Sequence, residues 1–280
     1  MTAALTIDGV HAELRLYQDP CNEIGTDMLA ALEAALERLD ASSAQTLVVH
    51  SDRRGFCAGA HLRQLHAAIA DREPEDYALE LGAFIDRVHA VMNRLDLLPM
   101  TTIGAIHGVC FGGGFELALT CDILVADKSA RFCFPELRLG IIPGFGGIPR
   151  LRRELPNGVI RDLLLTGRSL SARRASELGL VSQLVARGEA LEVARACAQQ
   201  AALFLPSARQ AAKRFIKPLP AEELAREKAM FLRMFRDPAV KAALAEFASR
   251  TDPMPYQPLA TGAAVEIGRA SCRERVFRAV

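Results

Sequence analysis

The feature that most constrains this chain is an alternation of short, β-branched apolar runs with longer segments in which apolar residues recur at helical spacing. Thr46-Leu-Val-Val-His50 and the run from Thr101 to Ile106 are of the first kind. Each is apolar almost without interruption, the pattern of a strand covered on both faces. Before the first run, Met28, Leu29, Leu32, Ala35, Leu36 and Leu39 recur at three- and four-residue intervals, from Thr26 as a candidate N-cap to about Asp40. Between the two runs, helical patterns cover 62–70 and 75–95 and stop before Pro99. Strands separated by helices require crossover connections, so the chain predicts an α/β fold with a buried sheet. Upstream, Leu5 to Leu16 reads as a hairpin around Asp8-Gly9, and a third strand follows at Ile123 to Ala126. The glycine- and proline-rich stretch from Pro135 to Pro149 reads as a shaped loop. Beyond it, Ser171 is placed to cap a helix ending at Gly179, Val181 to Val185 reads as a last strand, and 191–202 is helical again. Three more helices are expected between Pro206 and Ser249, with breaks at Pro218-Leu-Pro220 and Asp237-Pro238. The domain reading is a core over 1–203, a helical C-terminal unit over 204–260 and a non-native or disordered tail over 261–280.

Composition narrows the function. With 280 residues, half of them hydrophobic, the chain can bury a large core. Its 34 basic and 33 acidic residues leave a net charge of +1, with no excess to steer it onto nucleic acid or an anionic membrane. The seven cysteines are odd in number and form no C-x-x-C pair, so they read as free thiols in a reducing compartment. Residues 1–10 carry no leader pattern and no apolar run is long enough to span a bilayer, so the expected address is the cytoplasm. No metal-ligand motif is present, and Gly112 to Gly114 lacks the spacing of a dinucleotide fingerprint. The segment from Glu266 to Val276 has no periodicity; it reads as translated adapter DNA and is set aside.

Three segments carry chemistry. In Ile106-His-Gly-Val-Cys-Phe-Gly-Gly-Gly-Phe-Glu-Leu-Ala-Leu119 a strand runs through three glycines into a helix, whose N-terminus offers unpaired amides to an anion or oxyanion. A plain tight turn would explain the glycines alone. Glu116 adds weight, because a carboxylate among apolar neighbours is costly to bury without a task. In Arg54-Gly-Phe-Cys-Ala-Gly-Ala60, the small residues Ala58, Gly59 and Ala60 again let a backbone amide point at a ligand. In the third segment, 132–147, Glu136 lies between Pro135 and Leu137; it is a candidate acid with a raised pKa, or the partner of Arg131, Arg138 or Arg150.

Together the runs FCAGAHLRQL, HGVCFGGGFELALTCDILVAD and ARFCFPELRLGIIPGFGGIPRL resemble the enoyl-CoA hydratase/isomerase (crotonase) superfamily, along about residues 5–255. The resemblance implies a spiral of ββα repeats with a small helical C-terminal domain that helps build homotrimers or hexamers. It implies an oxyanion hole made by the amides of Ala60 and Gly113, flanked by substrate-binding backbone at Ala58, Gly59, Gly112 and Gly144, with Glu116 and Glu136 as the acid/base pair. Coenzyme A enters as part of an acyl-CoA thioester substrate, no separate cofactor is expected, and Arg53, Arg54, Arg63 and Lys213 are candidate phosphate contacts. The implied reaction is hydration of a trans-2-enoyl-CoA to a 3-hydroxyacyl-CoA. Isomerisation, acyl-CoA hydrolysis or decarboxylation are the alternatives within the superfamily, and a silent or RNA-binding member lies outside catalysis. The chain departs from the pattern at His61, where aspartate is usual, and at Ile148-Pro149, where Thr-Gln is usual. Phe84, Phe111, Phe115, Phe134 and Phe145 are candidate acyl-pocket residues or ordinary core.

Overall fold

The computed structural model describes residues 2–250; the tail reading for 261–280 and the end of the C-terminal unit lie outside the described residues. β1 (Ala3–Asp8) and β2 (His11–Leu16) form the expected hairpin, with Asp8 opposite His11. β3 (Thr46–Ser51), β4 (Thr101–Ile106), β6 (Ile123–Asp127) and β9 (Gln183–Val185) extend it into a six-stranded sheet in the order β1-β2-β3-β4-β6-β9, parallel throughout except at the β1 edge. Strands β3 and β4 are buried nearly end to end, as uninterrupted apolar runs require.

A second sheet, not visible in the strand patterns, joins β5 (Val109–Phe111), β7 (Arg131–Cys133) and β8 (Leu170–Ser171). Its strands have two or three residues each, too short to show a period. From β4 to β7 the chain alternates between the two sheets, and the segment that leaves β3 comes alongside β5 at an isolated bridge between Cys57 and Cys110. This juxtaposition positions the site.

The helices follow the predicted pattern with local corrections. α1 (Thr26–Asp40) buries Met28, Leu29, Leu32, Ala35, Leu36 and Leu39, but Gly25 rather than Thr26 is its N-cap. The Thr26 amide instead donates to Gln64 Oε1, at 3.0 Å, from α2 (Leu62–Ile69). α3 (Pro74–Leu97) is the long cover of the core. α4 (Gly113–Ala118) starts within the glycine run and is wholly buried. The stretch from Pro135 to Pro149 is more ordered than a loop: Glu136–Leu139 is a turn of 3-10 helix and α5 (Gly147–Glu154) begins inside it. α6 (Asn157–Thr166) and α7 (Ala172–Glu177) follow, the latter capped by Ser171 Oγ as expected. α8 (Ala190–Ala202) packs on β3, β4 and β6. The remaining helices are α9 (Pro206–Ile216), α10 (Ala221–Met234) and α11 (Pro238–Ala248); α10 packs on α3 and α5, and α11 on α2.

Candidate active site

Two tight backbone approaches define the centre of the site. Gly59 and Gly112 both have positive φ, +103° and +49°, which glycine adopts without strain. A Cβ on Gly59 would lie 2.9 Å from Phe111 O and 3.2 Å from the Gly113 amide nitrogen; one on Gly113 would lie 3.3 Å from the Ala60 nitrogen. The absence of side chains thus brings the Ala60 and Gly113 amides together. Gly113 opens α4, where an N–H has no partner within the helix, and the bridge to Ile24 uses the Gly59 carbonyl and the His61 amide, leaving that of Ala60 out. Two amides so placed can both donate to one oxyanion.

Glu116 and Glu136 both line the same cavity of about 430 Å³, with Ala58, Gly59, Ala60, Gly112, Gly113 and Gly144. The two candidate acid/base carboxylates and the six small residues expected around them are therefore brought to one place. Glu116 Oε1 accepts from the amides of Phe145 (2.8 Å) and Gly147 (2.7 Å); Oε2 takes neither bond. Burial pushes its pKa up to about 7, against the opposing pull of those two amides and of Arg150. Glu136 is more strongly biased to its neutral form, first by burial and then by the like charge of Glu116, and its Oε2 is buried without a protein partner. Its Oε1 occupies the space a Cβ on Gly112 would need, at 2.6 Å. Arg138 donates to Gly167 O.

The turn that holds Glu116 is itself held. Arg150 is fully buried; Nη1 donates to the carbonyls of Phe145 and Gly146, Nε to Asp96 and Nη2 to Asn93. Asp96 also takes Arg153 and Lys217, an ion cluster beneath the turn. Sequence reasoning missed both this cluster and Glu227, whose carboxylate meets the same turn from α10.

The departures at His61 and Ile148-Pro149 are accommodated locally. His61 is the N-cap of α2, its Nδ1 accepting from the Gln64 amide at 3.2 Å, the role an aspartate would fill. His61→Asp is accordingly expected to leave the melting temperature nearly unchanged, while His61→Ala costs about 1 kcal/mol in thermal unfolding. Pro149 sits in the first turn of α5, where its missing N–H deprives the helix of nothing. The phenylalanines divide: Phe84 and Phe145 line the cavity, with the unpredicted Phe231, whereas Phe111, Phe115 and Phe134 are core. Among the candidate phosphate contacts, Lys213 is committed to Asp122 and Met100 O, and Arg63 to Arg250 O and the Phe247 ring. Arg53 faces Asp19, and Arg54 is exposed. His107 serves structure, its ring bonded to Arg53 O.

Such an arrangement can hold negative charge on a substrate oxygen and move protons beside it. The enoyl-CoA hydratase/isomerase family pattern matches residues 11–256, and the chain belongs to that family. It is 34% identical over 235 residues to the probable enoyl-CoA hydratase of Rhizobium meliloti, covering 82% of this chain and 87% of that protein. It is 36% identical over 211 residues to the carnitinyl-CoA dehydratase of Proteus mirabilis, covering 75% and 77% respectively. The crystal structure of enoyl-CoA hydratase from Bacillus halodurans superposes with a TM-score of 0.79 at 22% identity, over 88% of this chain and all of that one, which shows the shared crotonase fold. Among the described residues, no helix is long and apolar enough to cross a membrane, and no group of three or more His, Cys, Asp or Glu side chains is placed to hold a metal ion.

Proposed function

We propose that this chain is an enoyl-CoA hydratase, adding water reversibly across the double bond of a trans-2-enoyl-CoA. The observation that carries this reading is the pair of carboxylates, Glu116 buried and Glu136 half-buried with its Oε2 shielded, on one cavity with the amides of Ala60 and Gly113. Those amides hold the thioester oxygen as it becomes an enolate, the charge-building event of the reaction, worth about 3–4 kcal/mol of barrier per donor. Glu116, whose charge is favoured by two amide donors, takes a proton from water as it attacks C3. Glu136, which favours its neutral form, delivers a proton at C2. The two carboxyls divide acid from base because their surroundings push them unequally.

The pH dependence follows. The base must be ionised, so kcat/KM is expected to fall as pH drops through about 7, the pKa to which Glu116 is raised. A steady-state pH profile checks this, and the limb should vanish in Glu116→Gln.

Coenzyme A is the carrier we assign to the substrate. The acyl chamber, walled by Leu65, Ile69, Leu81, Phe84, Ile141 and Phe231, suits an uncharged aliphatic chain. Self-association into trimers is supported by the apolar groups exposed at the end of α8 and along α9, including Leu203, Leu205, Phe215 and Ile216. A reducing, cytoplasmic setting is the reading we assign, in keeping with the thiols at 57, 110, 121, 133 and 197. A panel of trans-2-enoyl-CoAs, followed by loss of the conjugated thioester absorbance, tests the function: turnover of at least one member is expected, and silence across the panel would refute it.

A further inference from the structure

Glu227 is a buried carboxylate held against the turn behind this site, and none of the hydration steps above uses it. It is 4% exposed, lies on α10 and reaches a turn 81 residues away in sequence. Its Oε1 accepts from the Gly146 amide at 2.7 Å and its Oε2 from the Ile148 amide at 2.8 Å. The two intervening donors, Phe145 and Gly147, go to Glu116. Four consecutive amides thus alternate between two glutamates approaching from opposite sides. Those of Gly146, Gly147 and Ile148 are the orphan donors at the start of α5, where Pro149 has no N–H to orphan, and that of Phe145 lies one residue ahead of the N-cap. Arg150 holds the carbonyls of Phe145 and Gly146, so the turn is fixed on its carbonyl side as well.

A neutral acceptor would satisfy such donors at a lower desolvation cost than a carboxylate. What the carboxylate adds is two acceptor oxygens on one rigid plane, which fix the relative orientation of Gly146 and Ile148. One helical turn further along α10, Phe231 lies on the same face and touches the turn again, where a Cβ on Gly144 would meet its ring at 2.4 Å. Phe231 also lines the acyl chamber. The helix therefore grips the 144–148 segment at two points, one of them in contact with substrate space.

We propose that Glu227 is a positioning residue for catalysis: by holding the amides of Gly146 and Ile148, it fixes the turn in the register that presents Phe145 and Gly147 to Glu116. This inference rests on the hydratase reading, in which Glu116 must aim its free oxygen at water. In Glu227→Gln an amide NH2 replaces one acceptor and faces a backbone N–H, so one side of the turn is released. Glu116 then loses alignment and part of the amide support that favours its charged form.

The test is steady-state kinetics of Glu227→Gln and Glu227→Asp on an enoyl-CoA that the unmodified chain hydrates, with kcat and KM separated and the pH profile recorded well below each melting temperature. The expected result for Glu227→Gln is a kcat lower by about 10²-fold, as for a misplacement of about 1 Å. KM should stay within about threefold, and the acidic limb should move, because both the amide bonds to Glu116 and the charge of Glu227 bear on the Glu116 pKa. Glu227→Asp keeps both acceptors but retracts them by one methylene, so the same changes are expected at smaller size; it decides the matter if the glutamine variant fails to fold. A folded variant with kcat within about threefold of the unmodified chain and an unmoved limb would overturn the role of Glu227, leaving the hydratase reading intact. An unmodified chain inactive on every enoyl-CoA would remove the reading on which the role rests.

Discussion

Glu136→Gln is expected to lower kcat by about 10²- to 10⁴-fold, the range for loss of a positioned proton donor, while KM for the thioester stays close to that of the unmodified chain. The thioester oxygen is held by the backbone of Ala60 and Gly113, which the substitution does not touch. Glutamine fills the same space beside Gly112, where the Glu136 carboxylate already sits. Stability should move the other way. The folded state raises the pKa of Glu136 and so binds its proton more tightly than the unfolded chain does; that penalty is absent at low pH and grows as pH rises above the ordinary glutamate range. The variant should therefore melt at or above the temperature of the unmodified chain at pH 8, and the difference should shrink towards pH 4. Glu116→Gln is expected to cost a similar factor in kcat and to keep the turn, because its remaining carbonyl oxygen can still accept from Phe145 and Gly147. Kinetics paired with calorimetry checks both; activity retained in either variant would contradict the assignment.

Arg150→Met is expected to destabilise the fold by about 3–5 kcal/mol, the usual cost of removing one partner of a buried ion pair. Asp96 is 2% exposed and would keep only Arg153 and Lys217, while the carbonyls of Phe145 and Gly146 would lose their shared donor. Denaturant unfolding measures the change directly. Because Arg150 supports the turn that holds Glu116, activity should fall even at temperatures where the variant remains folded. A loss of under about 1 kcal/mol would mean that the remaining cations and solvent satisfy Asp96.

The parts of this molecule legible in its sequence are those with a local signature. The β1–β2 turn at Asp8-Gly9, the buried strands β3 and β4 and the apolar face of α1 each carry their period within a single element. Glu116, Glu136, Ala60 and Gly113 were legible because each lies in a motif of small residues or an apolar setting, and the resemblance to a family joined them. The second sheet was not legible, since β5, β7 and β8 are too short for alternation to register. Nor was Glu227. In Ala221-Glu-Glu-Leu-Ala-Arg-Glu-Lys228 it is one of three acids on a helix that looks solvated, and only tertiary packing distinguishes it from Glu222 and Glu223. The place of Arg150 was hidden for a similar reason: one of three candidate partners for Glu136, it binds Asp96 and Asn93 instead. His61 shows the converse: a departure from the usual residue that preserves the cap.

The account stands on water being added across the enoyl bond between Glu116 and Glu136. Turnover of an enoyl-CoA in water enriched in heavy oxygen, with the product analysed by mass spectrometry, tests that step directly. The prediction is one labelled oxygen at C3 of an intact 3-hydroxyacyl-CoA, and its loss in Glu136→Gln. A shifted double bond with no label, or label in a released carboxylate with free thiol, would contradict it.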